Sequence, residues 1–77
     1  MADVVLPKMG MQTVEVDVVK VCVNVGDRID VGDPLFEVES EKVTMAIEAE
    51  VAGTVTELFA AIGDVVEPGR LLARISP

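Results

Sequence analysis

Three kinds of side chain in this sequence could do chemistry, and they point in different directions. Carboxylates dominate: fourteen Asp and Glu stand against six Lys and Arg, with no His, for a net charge of −8. Glu37 and Glu39 could form an acid–base pair, but they fall on the outward side of an alternating segment that implies no pocket. Cys22 is the single cysteine. Its neighbours Lys20 and Asn24 suit a partly exposed position, and it reads as a small structural hydrophobe rather than a redox thiol. The third candidate is an amine. Of the lysines at positions 8, 20 and 42, only Lys42 lies within residues 37–50, among the five carboxylates Glu37, Glu39, Glu41, Glu48 and Glu50. On this count alone it is either an ordinary solvated lysine in an acidic patch or an amine kept there for a purpose.

The segment around Lys42 dictates how it must be held. Residues 36–49 read FEVESEKVTMAIEA. A hairpin pairing Val38 with Met45 also pairs Phe36 with Ile47 and Ser40 with Val43, all on one face. Its other face sets Glu37 against Ala46 and Glu39 against Thr44. A slip of one residue would turn Glu toward the core, so the register is fixed. It leaves Glu41-Lys42 as the two-residue apex. Tight hairpins favour Asn-Gly or Gly-x, which accept positive φ. Glu-Lys fits a type I turn, which twists less favourably between strands. A tip chosen for stability alone would seldom carry this pair.

The elements behind the hairpin repeat. Residues 25–39 (VGDRIDVGDPLFEVE) and 62–76 (IGDVVEPGRLLARIS) match at eight of fifteen positions in kind when offset by 37, with Gly26 on Gly63, Asp27 on Asp64, Gly32 on Gly69 and Leu35 on Leu72. Each copy reads as strand, Gly-Asp turn, short apolar pair, Gly-containing turn, strand. Neither copy can cover its own apolar face, so the two pack as a pseudo-twofold pair. The repeat also decides a local ambiguity: residues 56–61 (TELFAA) have helical propensity, but their mate at 19–24 (VKVCVN) is valine-rich, so both are expected as strand. Val14, Val16 and Val18 alternate with Glu15 and Asp17, whereas Val21, Val23 and Val25 alternate on the other parity. A bulge near Val18-Val19 follows. Residues 7–13 read as an irregular loop. If the halves are related by a twofold, the termini sit at the opposite end from the Lys42 tip.

At 77 residues the chain makes one small domain, residues 1–77, with a thin core. Half the residues are apolar, mostly Val, with no Trp or Tyr, a composition that favours strands. The absence of His and the lone cysteine remove zinc ribbons, disulfide scaffolds and Ser-His or Cys-His hydrolases. The acidic balance argues against nucleic acid or an anionic membrane as partner. No apolar run approaches the ~18 residues of a membrane span, and the start, Met1-Ala2-Asp3, lacks a signal-peptide pattern. The expectation is an all-β, acidic, intracellular domain: a flattened barrel or sandwich of short antiparallel strands in two similar halves.

With those residues in view, Glu39-Ser40-Glu41-Lys42-Val43 resembles the lipoyl-attachment motif E-T-D-K-A of the biotinyl/lipoyl domain family. Leu6-Pro7-Lys8-Met9-Gly10, the turns at Gly26-Asp27, Gly32-Asp33 and Gly63-Asp64, and Ala52-Gly53-Thr54-Val55 also look like that family, so the resemblance spans the chain. It is most similar to the lipoyl domains of acyltransferase components of 2-oxo acid dehydrogenase complexes. The resemblance implies two four-stranded antiparallel sheets, lipoic acid amide-linked to Lys42, and Glu41 and Val43 as flanks read by the attaching enzyme. The partners it implies are a lipoate ligase or lipoyl transferase, a 2-oxo acid decarboxylase and dihydrolipoyl dehydrogenase. The implied role is a non-catalytic, monomeric carrier that shuttles acyl groups and reducing equivalents, in the cytoplasm or the mitochondrial matrix. Glu41 replaces the usual Asp, Val43 the usual Ala, Val16 a frequent Gly and Glu50 a frequent Pro; these departures bear on which complex is served. Biotin carriers instead place Met on both sides of their lysine. A biotin carrier domain of a carboxylase and an unmodified interaction module are the alternatives.

Overall fold

The structure is a computed structural model that describes residues 2–7, 15–41 and 43–77. Lys42 and most of the segment expected as an irregular loop lie outside the described residues; Pro7, which is described, belongs to no strand. Eight strands follow in chain order: β1 (Ala2–Val5), β2 (Val16–Val21), β3 (Arg28–Ile29), β4 (Pro34–Glu39), β5 (Thr44–Glu48), β6 (Gly53–Leu58), β7 (Val65–Val66) and β8 (Leu71–Ser76). They form two four-stranded sheets, β1-β8-β6-β3 and β5-β4-β2-β7, antiparallel at every pairing. The expected all-β sandwich in two similar halves is the observed architecture.

The core lies between the sheets and is wholly apolar among the described residues. Strand alternation supplies it directly: Val16 and Val18 of β2, Val38 of β4, Val55 of β6 and Ile75 of β8 point inward, and each is at most 1% exposed. Phe36 is the largest fully buried side chain. Leu35 and Phe36 are both buried although adjacent, because the β4–β5 register shifts between Pro34 and Phe36 and turns consecutive residues inward. Leu72 and Ala73 of β8 do the same in the second copy.

The repeat is visible as paired hydrogen bonds. The Asn24 N–H donates to Asp27 Oδ2 at 2.8 Å, and the Ala61 N–H donates to Asp64 Oδ2 at 2.9 Å. Each aspartate carboxylate thus closes its own turn by accepting from the N–H three residues before it. Gly26 and Gly63, at φ 98° and 94°, supply the left-handed residue that both turns require. Their N–H groups reach across to the other sheet: Gly26 to Val55 O and Gly63 to Val18 O, both at 2.8 Å. The halves are therefore laced together by equivalent bonds running in opposite directions. The bulge expected near Val18-Val19 is present as a register shift between Val18 and Lys20, with its counterpart between Val55 and Glu57.

Two expectations need correction. Residues 19–24 and 56–61 are strand only to Val21 and Leu58. Beyond those points the backbone must leave the sheet to reach the Asn24 and Ala61 ends of the turns, and turn closure overrides the propensity of the valines. The parity expected through Val25 therefore fails: Val23 remains buried without being in a strand, while Val25 is 60% exposed. The sequence reading also assigned no strand to residues 2–5. In the fold β1 pairs with β8 as β5 pairs with β4: Val4↔Ala73 corresponds to Ile47↔Phe36, and Asp3↔Arg74 to Ala46↔Glu37. β1 is thus the counterpart of β5, joined to the chain at the other side of the repeat. The tip of the β4–β5 hairpin in one sheet corresponds to the chain ends in the other.

Candidate functional site

The β4–β5 hairpin has the register its apolar pattern demands, with Phe36↔Ile47, Glu37↔Ala46, Val38↔Met45 and Glu39↔Thr44 as pairs. Buried Phe36, Val38 and Ile47 hold it to the core, so the tip is set by packing rather than by the turn. Beyond Glu39 and Thr44 the hairpin closes with one more bond, the Ser40 N–H donating to Val43 O at 2.7 Å. The Ser40 hydroxyl donates to the same carbonyl at 3.4 Å. That second tie escaped the sequence reading, which placed Ser40 opposite Val43 but gave its side chain no role.

Two residues, 41 and 42, connect the bonded pair. Glu41 is exposed, and no described residue other than glycine has positive φ. Glu41 therefore occupies neither a type I′ nor a type II′ turn, both of which need positive φ at the first central position. Val43 is 54% exposed. The two expected flanking residues thus stand on the surface on either side of position 42. Lys42 itself lies outside the described residues.

The surrounding carboxylates of β4 face charged neighbours on β2. Glu37 leans toward Lys20 on β2, with Nζ to Oε2 at 3.7 Å, while Glu39 sits directly opposite Asp17. No group of His, Cys, Asp or Glu among the described residues could hold a metal ion. Cys22 is half-buried and carries a free thiol, the partly exposed position that its neighbours Lys20 and Asn24 suggested. A feature the sequence gave no sign of is a groove of about 610 Å³ between edge strands β1 and β5, lined by Val4, Val5, Val31, Met45 and Ile47. Its walls come from strands far apart in sequence, so no local pattern could reveal it.

Comparison with known proteins agrees with this geometry. The biotin/lipoyl family described as biotin-requiring enzyme matches residues 2–75. The chain is 38% identical over 73 residues to the dihydrolipoyllysine-residue acetyltransferase component of the pyruvate dehydrogenase complex of Corynebacterium glutamicum, covering 95% of this chain and 11% of that protein. It is 34% identical over 73 residues to the succinyltransferase component of the 2-oxoglutarate dehydrogenase complex of Staphylococcus saprophyticus, covering 95% of this chain and 17% of that protein. It is also 42% identical over 59 residues to the biotinylated protein TB7.3 homolog of Mycobacterium leprae, covering 77% of this chain and 83% of that protein. The chain therefore spans a small part of the acyltransferase components it matches and most of the biotinylated one. The register-fixed hairpin, with Glu41 and Val43 exposed on either side of position 42, and the two pseudosymmetric four-stranded sheets agree with these matches, and this chain belongs to the biotin/lipoyl domain family.

Proposed function

We propose that Lys42 carries lipoic acid in amide linkage and that residues 1–77 act as a swinging-arm carrier domain of a 2-oxo acid dehydrogenase complex. The observation that carries this reading is the hairpin register, which leaves only Glu41 and Lys42 between the bonded residues Ser40 and Val43. The lysine of a Glu-Ser-Glu-Lys-Val motif is thereby one of two residues at an apex flanked by exposed side chains. An amine there can be reached by a modifying enzyme. An ordinary lysine titrates near ~10.4 and is protonated at neutral pH, so the attaching ligase or lipoyl transferase must activate the acid and take the proton. When bound, the dithiolane supplies the chemistry of a disulfide that accepts an acyl group with two electrons and later surrenders both.

The chain's own contribution is presentation. Ser40 pins the Val43 carbonyl, and the buried Phe36 and Val38 keep the apex from shifting. Tethering holds the arm at roughly millimolar effective concentration near each partner site. The net charge of −8 favours encounters with basic clefts on the decarboxylase and on dihydrolipoyl dehydrogenase, encounters that weaken with salt. In this reading the isolated domain is monomeric, catalyses no reaction itself, and works in the cytoplasm or the mitochondrial matrix.

Co-expression with a lipoate ligase should add one lipoyl group by intact mass, and Lys42→Ala should abolish the addition without unfolding the domain. A lipoyl group that persists on that variant, attached to Lys8 or Lys20, would overturn the assignment. The biotin reading is favoured by one specific observation, the likeness to the biotinylated Mycobacterium leprae protein along most of its length. Incubation with a biotin ligase separates the two: a biotin adduct on Lys42 and no lipoyl adduct would replace the lipoyl reading.

A further inference from the structure

The internal repeat makes one half of the sandwich a control for the other. On the outer face of the hairpin sheet, the register lines up Thr44, Glu39, Asp17 and Val65 in one row across β5, β4, β2 and β7. On the hairpin the next step is the Ser40–Val43 bond that bounds the apex. All four side chains of the row are exposed, Val65 at 51%. Val19, two residues along β2 from Asp17 and at the bulge, adds a second apolar side chain, 40% exposed. The equivalent positions of the other sheet, offset by 37, hold different chemistry. Arg28 stands in place of Val65, Thr56 of Val19, Thr54 of Asp17 and Ser76 of Glu39. There the cross-strand pair Thr54↔Ser76 is of a stabilising kind, and the Thr56 hydroxyl donates to the Arg74 carbonyl at 3.2 Å. Asp17 and Glu39 are instead like charges directly opposite one another, a destabilising pair. The framework therefore needs neither the two valines nor the two acids, since it forms with Arg, Thr and Ser at the same four places.

We propose that this row is the docking surface for the enzyme that attaches the cofactor, which sets a basic side chain against Asp17 and Glu39 and an apolar one against Val65 and Val19. This rests on the carrier reading above. Charge complementarity gives the sign of the partner: two adjacent carboxylates attract Lys or Arg and repel an acidic surface, a second copy of this chain included. Position gives the enzyme. A ligase or lipoyl transferase must seat residue 42 itself, so it lies against the strand ends on either side of it, whereas enzymes that use a loaded arm meet that arm at its free end. The valines supply apolar burial and the carboxylates fix the orientation of the encounter. A contact made so far from the reacting bond is equally strong before and during the transfer, so it acts on KM and leaves kcat alone.

The test exchanges each position for the residue that the other half carries there, and follows loading of the domain by a lipoate ligase supplied with lipoic acid and ATP. The KM for the domain should rise about tenfold in Val65→Arg, where a cation would meet a basic cleft, with kcat unchanged. Val19→Thr should raise it about threefold. Asp17→Thr should raise KM as well while its melting temperature holds or climbs, which separates recognition from folding. Thr56→Val, the reverse exchange on the other sheet, should load like the natural domain. An unchanged KM in Val65→Arg, or an equal rise in Thr56→Val, overturns the docking and leaves the carrier reading standing. Normal loading of Val65→Arg with slowed acyl transfer from a 2-oxo acid decarboxylase would give the row to that enzyme and overturn the docking as well. Failure of both a lipoate ligase and a lipoyl transferase to load the natural domain removes the carrier reading, and the docking with it.

Discussion

The half of the fold that carries the β4–β5 hairpin and the half that carries the chain ends share their framework down to single hydrogen bonds. The Cys22 N–H donates to Leu35 O at 2.9 Å in one, and the Phe59 N–H donates to Leu72 O at 2.8 Å in the other. They diverge where β2 and β6 begin. Buried Val16 opens β2, and its repeat partner Gly53 opens β6. A Cβ on Gly53 would run into the Ser76 carbonyl and the Ile75 side chain. The chain-end half is thus closed tightly on its own last strand, whereas the hairpin half accommodates a full valine at the same place. The framework is duplicated, and what differs between the copies is how closely each packs where β2 and β6 begin.

The largest effect expected from breaking this comparison comes from Gly53→Ala. The obstructing atom is backbone and cannot swing away, so β6 and β8 must separate, at a cost of about 3 kcal/mol. Urea unfolding of the variant measures it. A loss under about 1 kcal/mol would mean that the two halves close with equal slack. A smaller and symmetric effect follows for the turns. Gly26 and Gly63 have open space where a Cβ would stand, so Gly26→Val and Gly63→Val are penalised through the left-handed φ alone. Each should lose a little over ~1 kcal/mol, and the two losses should agree. Unchanged melting in both would remove the turns from the framework.

How much of this was legible beforehand depended on whether the information was local. The hairpin register could be read because Phe36, Val38, Met45 and Ile47 carry it within a dozen residues, and any slip buries a glutamate. The two turns could be read because Gly-Asp recurs at a fixed offset. β1 could not, since its counterpart β5 lies at a different offset and its partner β8 is at the far end of the chain. The ends of β2 and β6 were overestimated because valine propensity says nothing about where a turn must begin. The groove was invisible for the same reason as β1: it exists only where two distant edge strands come together. Lys42 as the candidate attachment residue came from the resemblance of Glu39-Ser40-Glu41-Lys42-Val43 to the lipoyl-attachment motif, because the apex and the five surrounding carboxylates alone left an ordinary solvated lysine open.

The smallest expected difference concerns charge. At equivalent positions the outer faces carry the same pair reversed: Lys20 with Glu37 on the hairpin sheet, Glu57 with Arg74 on the other. Arg74 does more than its counterpart. It also pairs with Asp3 of β1 at 3.3 Å and lies over the Phe59 ring, 5.5 Å from its centroid. The hydrogen bond with Glu57, followed by the charge of Asp3, holds the guanidinium above its ordinary value. Any stability linked to that rise is complete below the ordinary arginine range and is lost only above it, so the clamp does not titrate at neutral pH. Because Arg74 ties three adjacent strands and Lys20 only two, Arg74→Met should lower the melting temperature measurably and Lys20→Met by less, with both shifts fading in high salt. β1 is the edge that gains from the clamp, having only β8 beside it. Amide exchange at Val4 should accordingly quicken in Arg74→Met while exchange at Met45, on the equivalent edge of the hairpin sheet, stays unchanged. Equal acceleration at both would show that the clamp steadies the whole sandwich rather than the strand at its chain end.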